Sequence, residues 1–234
     1  MMKTVICSAL YDEISPLISR FHAQKIDQYK NRYPVFHCFH KAHEIYFIVT
    51  GMGEKNTGKS LSYSINKFGL DKKFNWILTG YAGAVAPDLV RGDLILPLEV
   101  RGFSRSYRVP GFTERPLNRK GLLFCVDRLY HPEDKKKLSG EYPETLAVDM
   151  ESAAFCRVMQ ERSIGNFFIC KVITDGSRFI LPDVDLLKDP LIVCCFRSPL
   201  RTIRQMKNLL LIRRAMHRGS KRLADFFGEF HEDQ

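Results

Sequence analysis

Long apolar runs are missing from this chain of 234 residues. A helix that spans a bilayer needs about 20 consecutive apolar residues, whereas the longest candidates here, residues 191–196 and 209–212, are far shorter. A secretory signal is not expected either, because the apolar residues 6–10 are followed at once by Asp12 and Glu13. These absences argue against a helical membrane protein and predict a cytoplasmic location.

Acidic residues are absent between Asp189 and Asp225, although the chain carries 26 of them. That stretch holds nine basic residues: Arg197, Arg201, Arg204, Lys207, Arg213, Arg214, Arg218, Lys221 and Arg222. Nearly all of the net charge of +10 therefore belongs to this segment, and the rest of the chain is almost neutral. Three explanations are open for it: contact with an anionic membrane, contact with nucleic acid, or a solvated helix that covers the core.

Paired cysteines and the usual metal-binding spacings are also missing. The 7 cysteines are scattered and lie mostly in apolar runs, which is typical of reduced, buried thiols in a cytosolic protein. The group His37, Cys38, His40 and His43 falls on two predicted strands of a hairpin, which would separate the side chains, and no CxxC or HExxH pattern is present. We therefore predict no metal site.

Short β-like runs alternate with helical patterns through most of the chain. Strands are predicted at residues 4–8, 35–40, 44–49, 76–79, 93–96, 122–126, 146–148 and 167–173. Two of these runs, 76–79 and 167–173, are apolar without alternation, as in central strands covered on both faces. The pattern predicts a single α/β domain over residues 1–190, with a mixed central sheet flanked by helices, and a basic amphipathic helical extension over residues 191–234.

Residues 53–60 (GEKNTGKS) match the phosphate-binding loop pattern G-x-x-x-x-G-K-S. In that interpretation Lys59 would reach the outer phosphates of a nucleotide and Ser60 would hold Mg²⁺. The same residues also fit a tight turn at 50–53 (TGMG), after which a helix begins at Glu54 and includes Gly58. The helix begins at Lys59 if the segment is a phosphate-binding loop and at Glu54 if it is a tight turn. A nucleotide-binding protein is therefore an alternative function for this chain.

Five segments, in order, resemble the nucleoside phosphorylase/nucleosidase superfamily, most closely its 5′-methylthioadenosine/S-adenosylhomocysteine nucleosidase branch. They are residues 8–14 (SALYDEI), 50–53 (TGMG), 79–85 with 90–95 (TGYAGAV and VRGDLI), 147–154 (AVDMESAA) and 172–176 (VITDG). The resemblance covers roughly residues 4–190 and implies a nucleoside phosphorylase-like fold. It further implies a small nucleoside substrate, no cofactor and a homo-oligomer.

Three carboxylates carry the chemistry that the resemblance implies. Cleavage of an N-glycosidic bond builds positive charge on the ribose and negative charge on the departing base. Asp175 would protonate the purine at N7, Glu13 would deprotonate the attacking water, and Glu151 would bind the ribose hydroxyls and stabilise the cation. Taken singly, each has a structural explanation, such as a turn-forming Asp175 or a Glu151 that begins a helix. Their joint placement at three strand ends favours catalysis over a purely nucleoside-binding scaffold.

Further residues are implied to line the substrate pocket. Met150 would pack its thioether against the sugar, and residues 81–83 would line the base and ribose sites. The family stacks an aromatic residue on the base, and the matching position in this chain is Leu129 with Tyr130 beside it, so the two are alternatives for this role. The pocket residues are thus Met150, Tyr81, Ala82, Gly83, Leu129 and Tyr130.

The departures from the phosphorylase pattern and the basic segment refine the expected reaction. Phosphorylase members hold phosphate with arginines and a serine, whereas this chain has acids at the first strand end, Leu78 before the turn and Tyr81 in the serine's place. We therefore predict hydrolysis of a 5′-substituted adenosine with release of adenine, and phosphorolysis is the alternative. The basic segment is similar to the extension of hopanoid-associated phosphorylase-like proteins. That similarity implies a lipid-linked substrate such as adenosylhopane, an anionic membrane bound peripherally through residues 197–222, and no nucleic acid.

Overall fold

The structure, a computed structural model, describes residues 2–102, 104–110, 121–180, 211 and 214–227. The strands are β1 (Met2–Ser8), β2 (Gln24–Tyr29), β3 (Tyr33–His40), β4 (His43–Val49), β5 (Asn75–Ala84), β6 (Leu94–Ile95), β7 (Glu99–Gly102), β8 (Arg105–Arg108), β9 (Leu122–Cys125), β10 (Thr145–Asp149) and β11 (Phe167–Asp175). The helices are α1 (Tyr11–Arg20), α2 (Glu54–Phe68), α3 (Pro132–Glu141), α4 (Ser152–Glu161) and α5 (214–227). Within these residues all 11 strands form one mixed sheet.

Strand β5 organises the sheet. Its first residues pair in parallel with β1, most of its length pairs in parallel with β11, and its last residues pair antiparallel with β10. The order along the main path is β2-β3-β4-β1-β5-β10-β9-β7-β8, and β11 lies beside β5 and β6. Because β1, β4, β5 and β11 run parallel, their carboxyl ends meet at one edge, and β10 reaches the same place from the opposite direction.

Both faces of the central strands are buried. Trp76 and Leu78 of β5 pack in one apolar cluster with Leu61 and Phe155, whereas the intervening Ile77 packs in a second cluster on the other face. This follows from the two-residue period of a strand, which sends successive side chains to opposite faces. The prediction that residues 76–79 and 167–173 are central, doubly covered strands is confirmed.

Helix α5 completes the second cluster. Its buried residues include Ala215, Leu223, Phe226 and Phe227, and the last three pack in the cluster that contains residues of β1, β4 and β11. Its basic residues lie on the opposite, exposed face: Arg214, Arg218, Lys221 and Arg222. In this part of the basic segment the helix therefore covers the core with its apolar side and presents charge to solvent. Arg197, Arg201, Arg204, Lys207 and Arg213 lie outside the described residues.

The expected fold class is confirmed: a mixed sheet flanked by helices in one domain. The predicted boundary at residue 190 lies outside the described residues and stays a prediction. In the described part of the chain, no helix is long and apolar enough to cross a membrane. The five described cysteines, Cys7, Cys38, Cys125, Cys156 and Cys170, are free and buried, and Cys194 and Cys195 lie outside the described residues.

Candidate active site

A cavity of about 290 Å³ opens at the edge where the carboxyl ends of the strands meet. Every residue predicted to act on substrate lines it: Glu13, Tyr81, Ala82, Gly83, Leu129, Tyr130, Met150, Glu151 and Asp175. They come from α1, β5, the segment before α3, the β10–α4 turn and the end of β11. The structure therefore brings together side chains that are far apart in the sequence.

Glu13 lies in the first turn of α1 and is fixed by backbone donors. The Leu10 N–H donates to Oε2 at 2.9 Å, and the Tyr81 N–H donates to Oε1 at 3.0 Å. Gly80, at φ 132°, gives this carboxylate its room, because a Cβ there would lie 2.8 Å from Oε1. Burial raises the pKa of Glu13 to about 7 against the opposing charge of Lys171. A carboxyl group that titrates near neutrality is suited to accept a proton from water.

Glu151 and Asp149 approach the same lysine. Lys171 of β11, only 1% exposed, places Nζ 2.9 Å from Asp149 Oδ2 and 3.9 Å from Glu151 Oε2. Glu151 Oε1 also accepts a hydrogen bond of 2.9 Å from the Gly53 N–H. Burial raises the pKa of Glu151, with Lys171 opposing, and although burial lowers the pKa of Lys171, the surrounding carboxylates hold it above its usual value. Glu13 also contributes to the raised pKa of Lys171, so the group is a protonated lysine among three acids.

The other end of the cavity carries Asp175. Its Oδ1 accepts a hydrogen bond of 3.2 Å from the Thr174 hydroxyl, and its Oδ2 forms an ion pair with Lys135 of α3. Leu129, which is 47% exposed, and Tyr130 both line the cavity. Asp175 and Lys135 thus form one acid–lysine pair, and Arg128 also lines the cavity.

Tyr81 joins the cavity to the C-terminal helix. Its hydroxyl donates to the Met216 carbonyl oxygen at 3.0 Å, and Met216 itself lines the cavity. Burial raises the pKa of Tyr81, so this phenol stays neutral and acts as a donor. Helix α5 therefore forms part of the wall of the cavity.

The segment at residues 50–60 follows the second of its two interpretations. Helix α2 begins at Glu54, after a turn in which Gly51 and Gly53 both have φ 81°. Lys59 is exposed, and Ser60 is buried with its hydroxyl donating to the Thr50 carbonyl oxygen at 2.9 Å. Because the Gly53 N–H binds Glu151, the turn holds a carboxylate of this site and does not form a phosphate cradle.

Ten further lining residues were not assigned by sequence reasoning: Ala9, Leu10, Met52, Val126, Arg128, Lys135, Val148, Asp149, Thr174 and Met216. Lys171, which lies beside Asp149 and Glu151, was missed as well. A lysine inside the otherwise apolar run 167–173 was a signal for a buried partner, because a lysine is almost never buried without one. Among the described residues, no group of three or more His, Cys, Asp and Glu side chains could hold a metal ion.

No protein-family model matches the chain. The aminodeoxyfutalosine nucleosidase of Campylobacter jejuni is 28% identical over 205 residues, covering 76% of this chain and 87% of that protein. A 5′-methylthioadenosine/S-adenosylhomocysteine nucleosidase of Buchnera aphidicola is 26% identical, covering 75% of this chain and 86% of that protein.

Solved structures show the same fold. A Helicobacter pylori futalosine hydrolase mutant matches with a TM-score of 0.69 at 16% identity, covering 98% of this chain and 100% of that one. A Helicobacter pylori 5′-methylthioadenosine/S-adenosylhomocysteine nucleosidase in complex with butyl-thio-DADMe-Immucillin-A gives a TM-score of 0.69 at 16% identity, with 98% and 99% covered.

These similarities define the class of protein: an α/β enzyme with the nucleosidase fold. The resemblance to the nucleoside phosphorylase/nucleosidase superfamily is confirmed, and so is the expectation of an enzyme. One of the relatives named above is a 5′-methylthioadenosine/S-adenosylhomocysteine nucleosidase, the branch that the five sequence segments resemble, and the other is an aminodeoxyfutalosine nucleosidase.

Proposed function

We propose that this chain is a purine nucleosidase that hydrolyses the N-glycosidic bond of an adenosine-type nucleoside and releases adenine. The observation that carries the proposal is that Glu13, Glu151 and Asp175 line one cavity. The relatives' activities agree with it, since they are nucleosidases.

Each carboxylate has a distinct part in the proposed reaction. Glu151, in the excess of negative charge around Lys171, binds the ribose hydroxyls and stabilises the cation that forms as the bond breaks. Glu13 accepts a proton from the attacking water. Asp175 delivers a proton to N7 of the leaving purine. Met150 packs against the sugar, while Leu129 or Tyr130 covers the base.

Water is the proposed nucleophile. Phosphate carries negative charge, and the ribose end of the cavity presents Glu13, Asp149 and Glu151 against one lysine. An anion brought into such a group is repelled at short range. Tyr81, moreover, uses its backbone N–H for Glu13 and its hydroxyl for Met216. These contacts support hydrolysis over phosphorolysis.

A 5′-substituted, lipid-linked nucleoside such as adenosylhopane is the substrate that we propose within this class. The support is the Tyr81–Met216 hydrogen bond, which attaches the basic helix α5 to the cavity wall. The exposed basic face of α5 would rest on an anionic membrane, each basic residue contributing about 1 kcal/mol near the surface. We place the chain in the cytoplasm, at the inner face of the membrane, as a homo-oligomer that binds no nucleic acid.

Adenine release tests the reaction. The protein is incubated with 5′-methylthioadenosine and with a lipid-linked adenosine, each with and without phosphate, and free adenine is measured. We expect adenine to be released without phosphate, and faster from the lipid-linked adenosine than from 5′-methylthioadenosine. Asp175→Asn should lower the rate of release by about 100-fold or more. Full activity in that variant, or a strict requirement for phosphate, would contradict the proposal. Asp71→Asn, at an exposed acid remote from the cavity, is the matched control.

Vesicle binding tests the membrane contact. Deletion of α5 is unsuitable, because Phe227 lies in the core. We expect Arg218→Glu with Lys221→Glu to weaken binding to phosphatidylglycerol vesicles by at least about tenfold. The matched control is Lys72→Glu with Lys73→Glu, which makes the same charge change at another exposed site. Equal weakening in both pairs, or unchanged binding in the first, would contradict a specific membrane face.

A further inference from the structure

Lys135 is buried where a lysine is not expected. It is the first of three consecutive lysines in α3, and it is 2% exposed, whereas Lys136 and Lys137 are exposed. Helix α3 carries it to the cavity, where it is one of the lining residues. Burial of an ammonium group is unfavourable unless it is paired and hydrogen-bonded, so the surroundings of Nζ show what the side chain does.

The ammonium group of Lys135 is bound to the carboxylate assigned to the leaving base. Its Nζ donates to Asp175 Oδ2 and, at 3.2 Å, to the Gly176 carbonyl oxygen. The Thr174 hydroxyl donates to the other oxygen of Asp175 at 3.2 Å. Both oxygens of Asp175 therefore accept hydrogen bonds from the protein, which is the arrangement of an ionised carboxylate. A carboxylate in this state needs a proton from a neighbour before it can protonate a base.

Glycine at position 83 makes room for this pair. A Cβ on Gly83 would lie 2.9 Å from Asp175 Oδ2 and 3.1 Å from Lys135 Nζ. Such distances are too short for a methyl group, so a side chain at this position would require the carboxylate or the ammonium group to move. The pair is thus built into the wall of the cavity by α3, β5 and β11 together.

We infer that Lys135 is a positioning residue that supplies, through Asp175, the proton taken by the leaving purine; this rests on the proposed function. As the bond from C1′ to the purine breaks, its electron pair passes to the base. A proton passes from Asp175 to the base, and the Lys135 ammonium proton passes to Asp175. The hydroxyl of water joins C1′, and Glu13 accepts the remaining proton. Lys135 is left as a neutral amine and is reprotonated by solvent after adenine leaves.

Two substrates separate proton delivery from a merely structural ion pair. Wild type, Lys135→Met and the control Lys136→Met are assayed on 5′-methylthioadenosine and on 4-nitrophenyl β-D-ribofuranoside, whose leaving phenolate needs no proton. We expect Lys135→Met to lose about 100-fold in kcat on the nucleoside, the size of one general-acid contribution. Its loss on the nitrophenyl riboside should be at least tenfold smaller, and Lys136→Met should match wild type on both.

Lys135→Arg provides a second test that keeps the charge. Arginine donates the same hydrogen bonds but stays protonated, so proton delivery predicts that Arg rescues kcat no better than Met. Rescue by Arg, or equal losses on the two substrates in Lys135→Met, would show a structural pair and overturn the inference. Unchanged nucleoside cleavage in Lys135→Met would overturn it too, while leaving the proposed function intact. Absence of adenine release by wild type would instead contradict the proposed function.

Discussion

The two ends of the cavity use the same kinds of side chain in different proportions. At one end, where we propose that the ribose binds, Glu13, Asp149 and Glu151 surround Lys171, which is nearly inaccessible to solvent. At the other end, where we propose that the base binds, Asp175 pairs with Lys135, and Arg128 also lines the cavity. An excess of acid suits a site where positive charge develops, and a one-to-one pair suits a site where a proton must be given away. The two ends differ in the number of acids per lysine, and under the proposed function this number distinguishes the end that stabilises a cation from the end that donates a proton.

The largest effect should follow removal of Lys171. Lys171→Met leaves buried carboxylates without their cation, and the loss of one partner from a buried ion pair costs about 3–5 kcal/mol of unfolding free energy. Urea unfolding measures it. Lys171→Arg, which keeps the charge, should lose less unfolding free energy than Lys171→Met. Lys135→Met should also lose less, because it leaves one carboxylate without its cation, whereas Lys171→Met leaves several. Wild-type stability in Lys171→Met would show that the ribose end is not held together by this lysine.

A smaller effect should appear in the pH dependence. Glu13 must be ionised to accept a proton, and its pKa of about 7 means that kcat/KM falls as the pH drops below 7. At pH 5, two units below that pKa, about 1% of the group is ionised, so we expect a decrease of about 100-fold from the plateau at high pH. The raised pKa of Glu151 adds to the same decline.

Glu13→Gln is the control for this profile. It removes the titrating group, so its low residual activity should no longer follow the Glu13 ionisation. A wild-type profile that is flat from pH 5 to 8 would contradict the assignment of Glu13 as the base. The difference between the two ends of the cavity would then not depend on the ionisation of Glu13.

The sequence predicted the central strands better than the peripheral ones. Strand β11 was visible because its run is apolar on both faces. Strand β2 was missed because its residues are exposed or half-buried and carry no apolar period. Strand β8 was missed because it is four residues long and only Tyr107 in it is buried. Strand β5 was predicted only to Thr79, since its second half (GYAGA) is rich in glycine, and glycine is unfavourable in strands. Pairing with β11, not local preference, keeps that half extended.

The residues of the site also differ in how well the sequence predicts them. The acids were found because they follow strands within recognisable segments, and the structure brings them to one cavity. Lys135 could not be found in this way, because three consecutive lysines look like a solvated helix face. Its burial depends on Asp175, 40 positions away, and on the missing side chain at Gly83. Such contacts depend on tertiary packing, which local sequence patterns do not describe.

Gly80 and Gly83 determine where two acids can lie against β5. One makes room for Glu13 and the other for Asp175, and both belong to the same continuous strand. Three strand residues span about 10 Å, so the separation of these two glycines is fixed by a strand that pairs with β11 along this stretch. Under the proposed function, the C-terminal helix can therefore change which nucleoside is accepted without changing the separation of these two positions.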